Sequence, residues 1–461
     1  MARPVPNWLA IVFVGPIAIG LFVCGGCKST SNSIGLARDA FASGDLDTAR
    51  ETLDNVLQSR NRHRDSAQLD LAMVELASGD AAAAEQRLRK LRDQFDALPD
   101  VAPVHEAASL VTDDLSRVYR PAGYEQVMIR AMLSLCSLSK DGADAESYVL
   151  QAAQRQSELA RAAEDRGIVD IGELFQPVAM APYLRGVLRE ATHHDYDDAA
   201  RAYQLVSSVQ PNFQPAKTDI ARASGGVHSS PGHGVLYVVA CVGRGPILQE
   251  QIAETTSTAL RIASSVLQSK SSERDDDQSV PPLPNIASVK VPKVVLPASR
   301  IAAVSTHVDG KMVGVTQTLT DVSDLAVNHA SAQMPWTIAR AVVRRVTKEA
   351  AVANAAQKIG LDDSAASIFR FAAGSAWSGV EHADTRCWGL LPREIQVMRI
   401  ELPVGKHILL ISPVDANSTA LGAGQIREVE IADGRNEYLV AIAPDQAIYL
   451  AGNDVAENQP K

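Results

Sequence analysis

Apolar and polar positions change their spacing three times along the chain, and each change announces a different kind of element. The opening stretch is almost wholly apolar. From Trp8 to Val23 only Gly15, Pro16 and Gly20 interrupt the run, and Arg3 is the one charge before Lys28. From residue 35 onward, apolar positions recur at the three-to-four spacing of amphipathic helices. "GLARDAFASGDLDTARETLDNVLQS" (35–59) and "AQLDLAMVELASGDAAAAEQRLRKL" (67–91) both contain ASGD, 35 residues apart. That is close to the period of about 34 residues of the tetratricopeptide helix-turn-helix. Gly44 and Gly79 suit the left-handed end of a first helix. Asp45 and Asp80 suit the cap of a second, and Ala49 and Ala84 let paired helices approach closely. "AMLSLCSLSKDGADAESYVLQAAQ" (131–154) and "YLRGVLREATHHDYDDAARAYQLVSSVQPNFQPA" (183–216) repeat the plan around KDGAD and HDYDDAA turns. One hairpin buries too little surface alone, so the four are expected to stack into an array over 35–223. The stretch 100–119 does not fit the period. A generic bundle would give the same helical spacing; a repeat array adds a concave face for a peptide or protein.

At "GGVHSSPGHG" (225–234) glycine and proline end the helices. The run Val235–Val242 is β-branched and apolar, as in a strand buried on both faces. Gly243-Arg244-Gly245-Pro246 then turns the chain; the lone GxG lacks the rest of a phosphate-binding fingerprint, and Pro246 lacks a donor. Residues 268–298 are rich in Ser, Asp and Pro and read as an exposed loop. Its DDD (275–277) lacks the spacing of a calcium loop. "RIAAVSTHVDGKMVGVTQTL" (300–319) predicts a hairpin turning at Asp309-Gly310. A helix is expected from Pro335 to Lys358, with Ile338, Val342 and Val346 as its apolar stripe and Arg340, Arg344 and Lys348 as a basic line. That line is a solvated face, with contact to lipid headgroups as the alternative, and so a weak partner-binding surface. Residues 395–413 predict two strands around Pro403-Val404-Gly405, and 424–451 predict three more with a turn at Asp433-Gly434, as in a small sandwich. The expected fold class is α+β: an N-terminal all-α tetratricopeptide-like helical repeat array, a mixed α/β region and a C-terminal antiparallel β-sheet. The segments are 1–27 leader, 28–34 tether, 35–223 helical repeats, 224–380 α/β region, 381–452 β-rich domain and 453–461 tail.

The opening run raises the question of address. A helix over 8–26 would be about 28 Å long, just enough for a hydrocarbon core of about 30 Å. Pro16 and the glycines weaken it, and Gly25-Gly26 before Cys27 has the form of a lipobox, although Cys24 stands where an aliphatic residue is usual. The expectation is a signal peptide ending in a lipidated Cys27; the alternatives are a single-pass N-terminal anchor and plain secretion. Each acyl methylene on such a cysteine contributes about 0.8 kcal/mol of membrane affinity. Lys28 after Cys27 favours the outer membrane, facing the periplasm.

Composition narrows the chemistry. The 461 residues carry a net charge of -10 with no long basic run, which argues against nucleic acid as a partner. Of five cysteines, Cys136, Cys241 and Cys387 are too scattered for a disulfide framework, and Cys24-Gly-Gly-Cys27 lies at the end of the apolar run rather than in a metal or redox context. There is no HExxH, GxSxG or P-loop, so no enzyme, cofactor or metal is expected. His228 and His233 flank Ser229 and Ser230 without the spacing of a nucleophile-base pair. His193 and His194, adjacent on a helix, point about 100° apart and rarely share one ion. A ligand site or hydrolase centre between the helical and α/β halves, built on Arg244, His228 and His233, is the alternative to a protein-binding scaffold.

Four stretches carry a resemblance: "YEQVMIRAMLSLCSL" (124–138), "VLYVVACVGRGP" (235–246), "ARAVVRRVTKEA" (339–350) and "DTRCWGLLPREIQVMRIELPVGKH" (384–407), in the last of which Arg386, Trp388, Leu391 and Pro392 precede a strand. With them the chain resembles a family of uncharacterised bacterial lipoproteins with tetratricopeptide-like repeats. The resemblance implies an envelope location, membrane attachment through the lipidated cysteine, an envelope protein partner and a non-enzymatic, scaffold-like role. The acidic insert near 275 departs from the family pattern.

Overall fold

The computed structural model describes residues 25–98, 118–165, 176–272, 288–358 and 382–452; for 25–29, 163, 165, 269–272 and 348–358 it describes the backbone alone. Helices α1 (Gly25–Ser43) and α2 (Leu46–Gln58) form a first hairpin, and α3 (Arg64–Ala77) and α4 (Ala81–Asp96) a second. Helices α5 (Gly123–Leu138) and α6 (Ala145–Asp165) form a third, and α7 (Met180–Glu190) and α8 (Tyr196–Val209) a fourth, closed by α9 (Pro215–Ser224). The helices pack on one another in chain order. The turns work as the sequence predicts. Gly44 and Gly79 take φ of 102° and 85°, and Asp45 and Asp80 accept the Thr48 and Ala83 amides at 3.0 and 2.9 Å. Ala49 and Ala84 are fully buried between helices. The supposed tether 28–34 lies inside α1 instead. Ile34, Ala37 and Phe41 form a buried stripe at helical spacing, which extends the helix back over the polar KSTSNS run.

The second half begins with β1 (His233–Arg244), β2 (Ile247–Glu254), α10 (Ser257–Ser272) and β3 (Ser288–Val295). Both ends of the stretch read as a loop over 268–298 are therefore regular, because Val266 packs from α10 and Val289 and Val291 from β3 into one apolar cluster with α11; the acidic residues between them lie outside the described residues. Then follow β4 (Ala303–Val308), β5 (Lys311–Val315), β6 (Gln317–Asp321), α11 (Val322–Lys358), β7 (Pro392–Pro403), β8 (Gly405–Val414), β9 (Gln425–Ile431), β10 (Asn436–Ala443) and β11 (Tyr449–Ala451). Helix α11 starts thirteen residues before the expected Pro335. Asp321 caps it by accepting the Asp324 amide at 3.0 Å, and Pro335 is carried inside the helix. Its stripe of Ile338, Val342 and Val346 is buried as predicted.

Among the described residues the strands form a five-stranded sheet ordered β11-β10-β1-β7-β6, a four-stranded sheet ordered β5-β4-β8-β9, and the ribbon β2-β3. The C-terminal strands are antiparallel to their neighbours except at β1-β10, which is parallel. Strands from before and after residue 380 thus share both large sheets. The central strand explains the unbroken apolar run. Val235, Tyr237, Val239 and Cys241 face the helical array, while Leu236, Val238, Ala240 and Val242 face the four-stranded sheet. The molecule is layered: helical array, five-stranded sheet, four-stranded sheet. The hairpin at Asp309-Gly310 has the positive φ values, 50° and 80°, of a tight primed turn.

Candidate functional site

The inner face of the array, where a tetratricopeptide protein would take a partner, is filled by this chain's own residues. The extended segment 382–391, leading into β7, lies across the first helix of three successive hairpins. Arg38 on α1 donates to the Cys387 carbonyl oxygen at 3.0 Å and to Asp70 on α3 at 2.8 Å. Asp70 accepts the Leu390 amide at 2.8 Å. Glu125 on α5 accepts the Trp388 amide at 2.9 Å, the Ala122 amide at 2.8 Å and the Tyr119 hydroxyl at 3.1 Å. Trp388 is 1% exposed. Two buried carboxylates and one guanidinium therefore hold the backbone of residues 387–390 as a peptide receptor holds a ligand. Burial pushes both carboxyls above their usual range, against the opposing pull of these donors. A Cβ at Gly389 would overlap the Arg38 guanidinium, so any larger residue there would have to displace that side chain from its bonds to Asp70 and the Cys387 carbonyl.

A second buried knot fastens the other end of the array. Glu190, fully buried, accepts from the Tyr203 hydroxyl at 2.7 Å and from Arg222 at 2.6 and 2.8 Å. Asp219 accepts from Arg222 at 2.7 Å. Sequence reading missed both clusters. The signal for the first was a carboxylate inside an apolar helical run, Asp70 in "LDLAM" and Glu125 in "YEQVMI".

The residues named from the sequence fall in separate places. His228 is 3% exposed and bonded through Nε2 to Asn436 Oδ1 at 2.8 Å; burial lowers its pKa. His233 is the first residue of β1 and Arg244 the last, so eleven steps of about 3.3 Å put them about 36 Å apart. The three do not form one site. Arg344 is 1% exposed, on the face of α11 turned inward, so the spacing of four did not produce a solvent-facing basic line. Arg340 lines a cleft, the Lys348 side chain lies outside the described residues, and so does that of Cys27.

Two cavities open where the array meets the second half. The larger, about 370 Å³, lies between the start of α5, the ribbon β2-β3 and α11, and has Arg120, Arg155, Lys290, Arg340 and Arg386 in its walls. The smaller, about 170 Å³, lies between α1, α3 and the carboxyl ends of β1 and β10. Its walls are mainly apolar, and Arg244 stands at its rim, paired with Asp39. Gly243 makes the turn beside it with φ of 76°. A Cβ on Gly245 would overlap the Leu391 carbonyl oxygen, so these glycines serve close packing. Among the described residues no three metal-ligating side chains converge. Cys136, Cys241 and Cys387 are free and buried, and burial pushes the Cys241 thiol up to about 12 and Cys387 to about 11, which makes them inert. No helix of the described residues is long and apolar enough to cross a membrane.

Fold and geometry together define a tetratricopeptide-type helical array built onto a two-layered β-structure. A tetratricopeptide repeat family model matches residues 40–107, which take in the end of α1 and the whole of α2, α3 and α4. No curated protein matches the chain.

Proposed function

We propose that this is a lipid-anchored protein of a bacterial cell envelope that acts, without catalysis, as a scaffold for a protein partner. The observation that carries the scaffold reading is the repeat array itself: stacked hairpins of this kind mediate protein contacts, and here they share one apolar core with the five-stranded sheet. Because the inner face is occupied in cis, the partner docks on the outer helices. There Leu150 on α6 and Leu205 on α8 are 43% and 53% exposed. Lipidation of Cys27 is supported by the Gly25-Gly26 pair before it and the apolar run behind it. With Cys27 only two residues into α1, the acyl groups would hold the array directly at the membrane surface.

Two measurements test the reading. The mass of the mature N-terminal peptide is expected to show an acylated Cys27, and Cys27→Ser is expected to release the protein from membranes. A photo-crosslinker at Leu205 is expected to give a discrete protein adduct in cells, whereas one at buried Trp388 gives none. An unmodified N-terminus with membrane-free protein sinks the anchor, and equal results at the two crosslinker positions sink the scaffold.

A further inference from the structure

We propose that the smaller cavity is a binding site for a carboxylate carrying a short apolar body. Three independent features converge on it. The first is position: β1 and β10 run parallel, Val242 pairs with Ala443 near their ends, and both strands end at the cavity. In open α/β sheets ligands bind outside the carboxyl ends of parallel strands, and β1-β10 supplies one such pair in this otherwise antiparallel sheet. The second is shape and polarity. Phe41, Met73, Leu391 and Ile442 supply an apolar interior, and about 150 Å³ suffices for a benzene ring in an apolar protein cavity, so 170 Å³ admits a branched or aromatic group of that size. The third is the charge at the rim.

Arg38 at the wall is committed to Asp70 and the Cys387 carbonyl, but among the described residues Arg244 is held only by Asp39, whose side chain is 64% exposed. An exposed ion pair of this kind contributes little. A ligand carboxylate with its body in the cavity takes the guanidinium from Asp39 and forms a better-shielded pair. This inference is independent of the membrane anchor and of any partner on the outer helices. The larger cleft supports no equal argument, because Arg120, Lys290, Arg340 and Arg386 in its walls already have partners.

The same chemistry is offered by a free aliphatic acid and by a peptide ending in leucine. Calorimetric titration of the purified full chain with 4-methylpentanoate, its neutral amide and Gly-Gly-Leu separates them. The acid is expected to bind with a Kd of about 1 mM and the amide about tenfold more weakly. Tighter binding of Gly-Gly-Leu than of the acid assigns the site to a chain terminus, and the reverse order assigns it to a small acid. Arg244→Gln brings the acid down to the level of the amide, while Asp39→Asn, which removes the competing carboxylate, tightens the acid.

Gly35 lies in the cavity wall, and a Cβ there meets nothing within 4 Å. A side chain can therefore start from Gly35 unhindered, and Gly35→Leu is expected to occupy the space and abolish binding of all three probes. Absence of binding at about 10 mM acid, equal binding of acid and amide by the wild type, or unchanged acid binding by Arg244→Gln overturns the proposal. The last comparison stands even if Gly35→Leu disturbs the fold.

Discussion

Two histidines show how local surroundings give one residue type opposite effects on stability. His63 is 4% exposed and accepts from Arg62 Nε at 3.2 Å. Burial first, then Arg62 and Arg386, lowers its pKa to about 4. The unfolded chain protonates near 6.5 and the folded one does not, so stability is lost as pH falls through 6.5 toward 4. His407 is the reverse case. Its Nδ1 bonds to Asp309 at 2.7 Å and its Nε2 to the Pro403 carbonyl at 2.9 Å, and these contacts raise its pKa. Its contribution is present below 6.5 and is lost as pH rises through the folded value. Replacing each histidine by Gln separates them in a calorimetric melting series from pH 7 to pH 5. His63→Gln should remove an acid-side loss of about 2 kcal/mol at pH 5. His407→Gln should instead lower the melting temperature more at pH 5 than at pH 7. A wild-type slope unchanged by His63→Gln would show that this histidine is not held neutral.

The segment 382–391 has no regular structure, yet its amides end on buried carboxylates. In most proteins such a connection exchanges its amide protons freely. Here the Trp388 and Leu390 amides should be protected to within about tenfold of the centre of β1. Asp70→Asn leaves Arg38 without its counter-charge, a loss of about 3 kcal/mol or more, and should speed exchange at Leu390 by about 100-fold. Trp388→Ala, which empties a buried site, should cost about 3–5 kcal/mol. Rapid wild-type exchange at both amides would deny the clamp. Part of this element was legible beforehand: "DTRCWGLLP" stood out as distinctive, and the caps, glycine turns and central strand follow directly from residue chemistry. Its destination was not, because nothing local in Trp388 or Leu390 encodes which helix it meets 263 or 320 residues away. The same reason scattered the candidate site. His233 and Arg244 look close in sequence, but the strand between them holds them apart, and Arg344 is buried although it lies about 160° round α11 from Val342, so this helix is covered on the face opposite its apolar stripe as well, which residue spacing does not record.

At the level of the whole molecule, the array and the five-stranded sheet share one apolar cluster that runs from Ile34 to Ala451. The first helices of the second and third hairpins are therefore covered on both sides: α3 is buried along nearly its whole length, from Ser66 to Ala77, and α5 buries fourteen of its sixteen residues. An independent repeat domain would keep one face of these helices in water and carry polar residues there. Here that face carries Leu69, Met73, Met132 and Cys136, which need the sheet as cover. The two halves should accordingly unfold as one unit. In urea, the far-ultraviolet signal of the helices and the near-ultraviolet signal of the packed aromatics should fall together in a single transition. A fragment covering 30–224 should keep some helix, bind a hydrophobic dye and melt without a cooperative step, since its inner face is stripped of its cover. Two separate transitions in the full chain, or sharp cooperative unfolding of the fragment, would mean that the array is a free-standing module. Its inner face would then be open to a partner in trans, and docking on the outer helices would lose its physical basis.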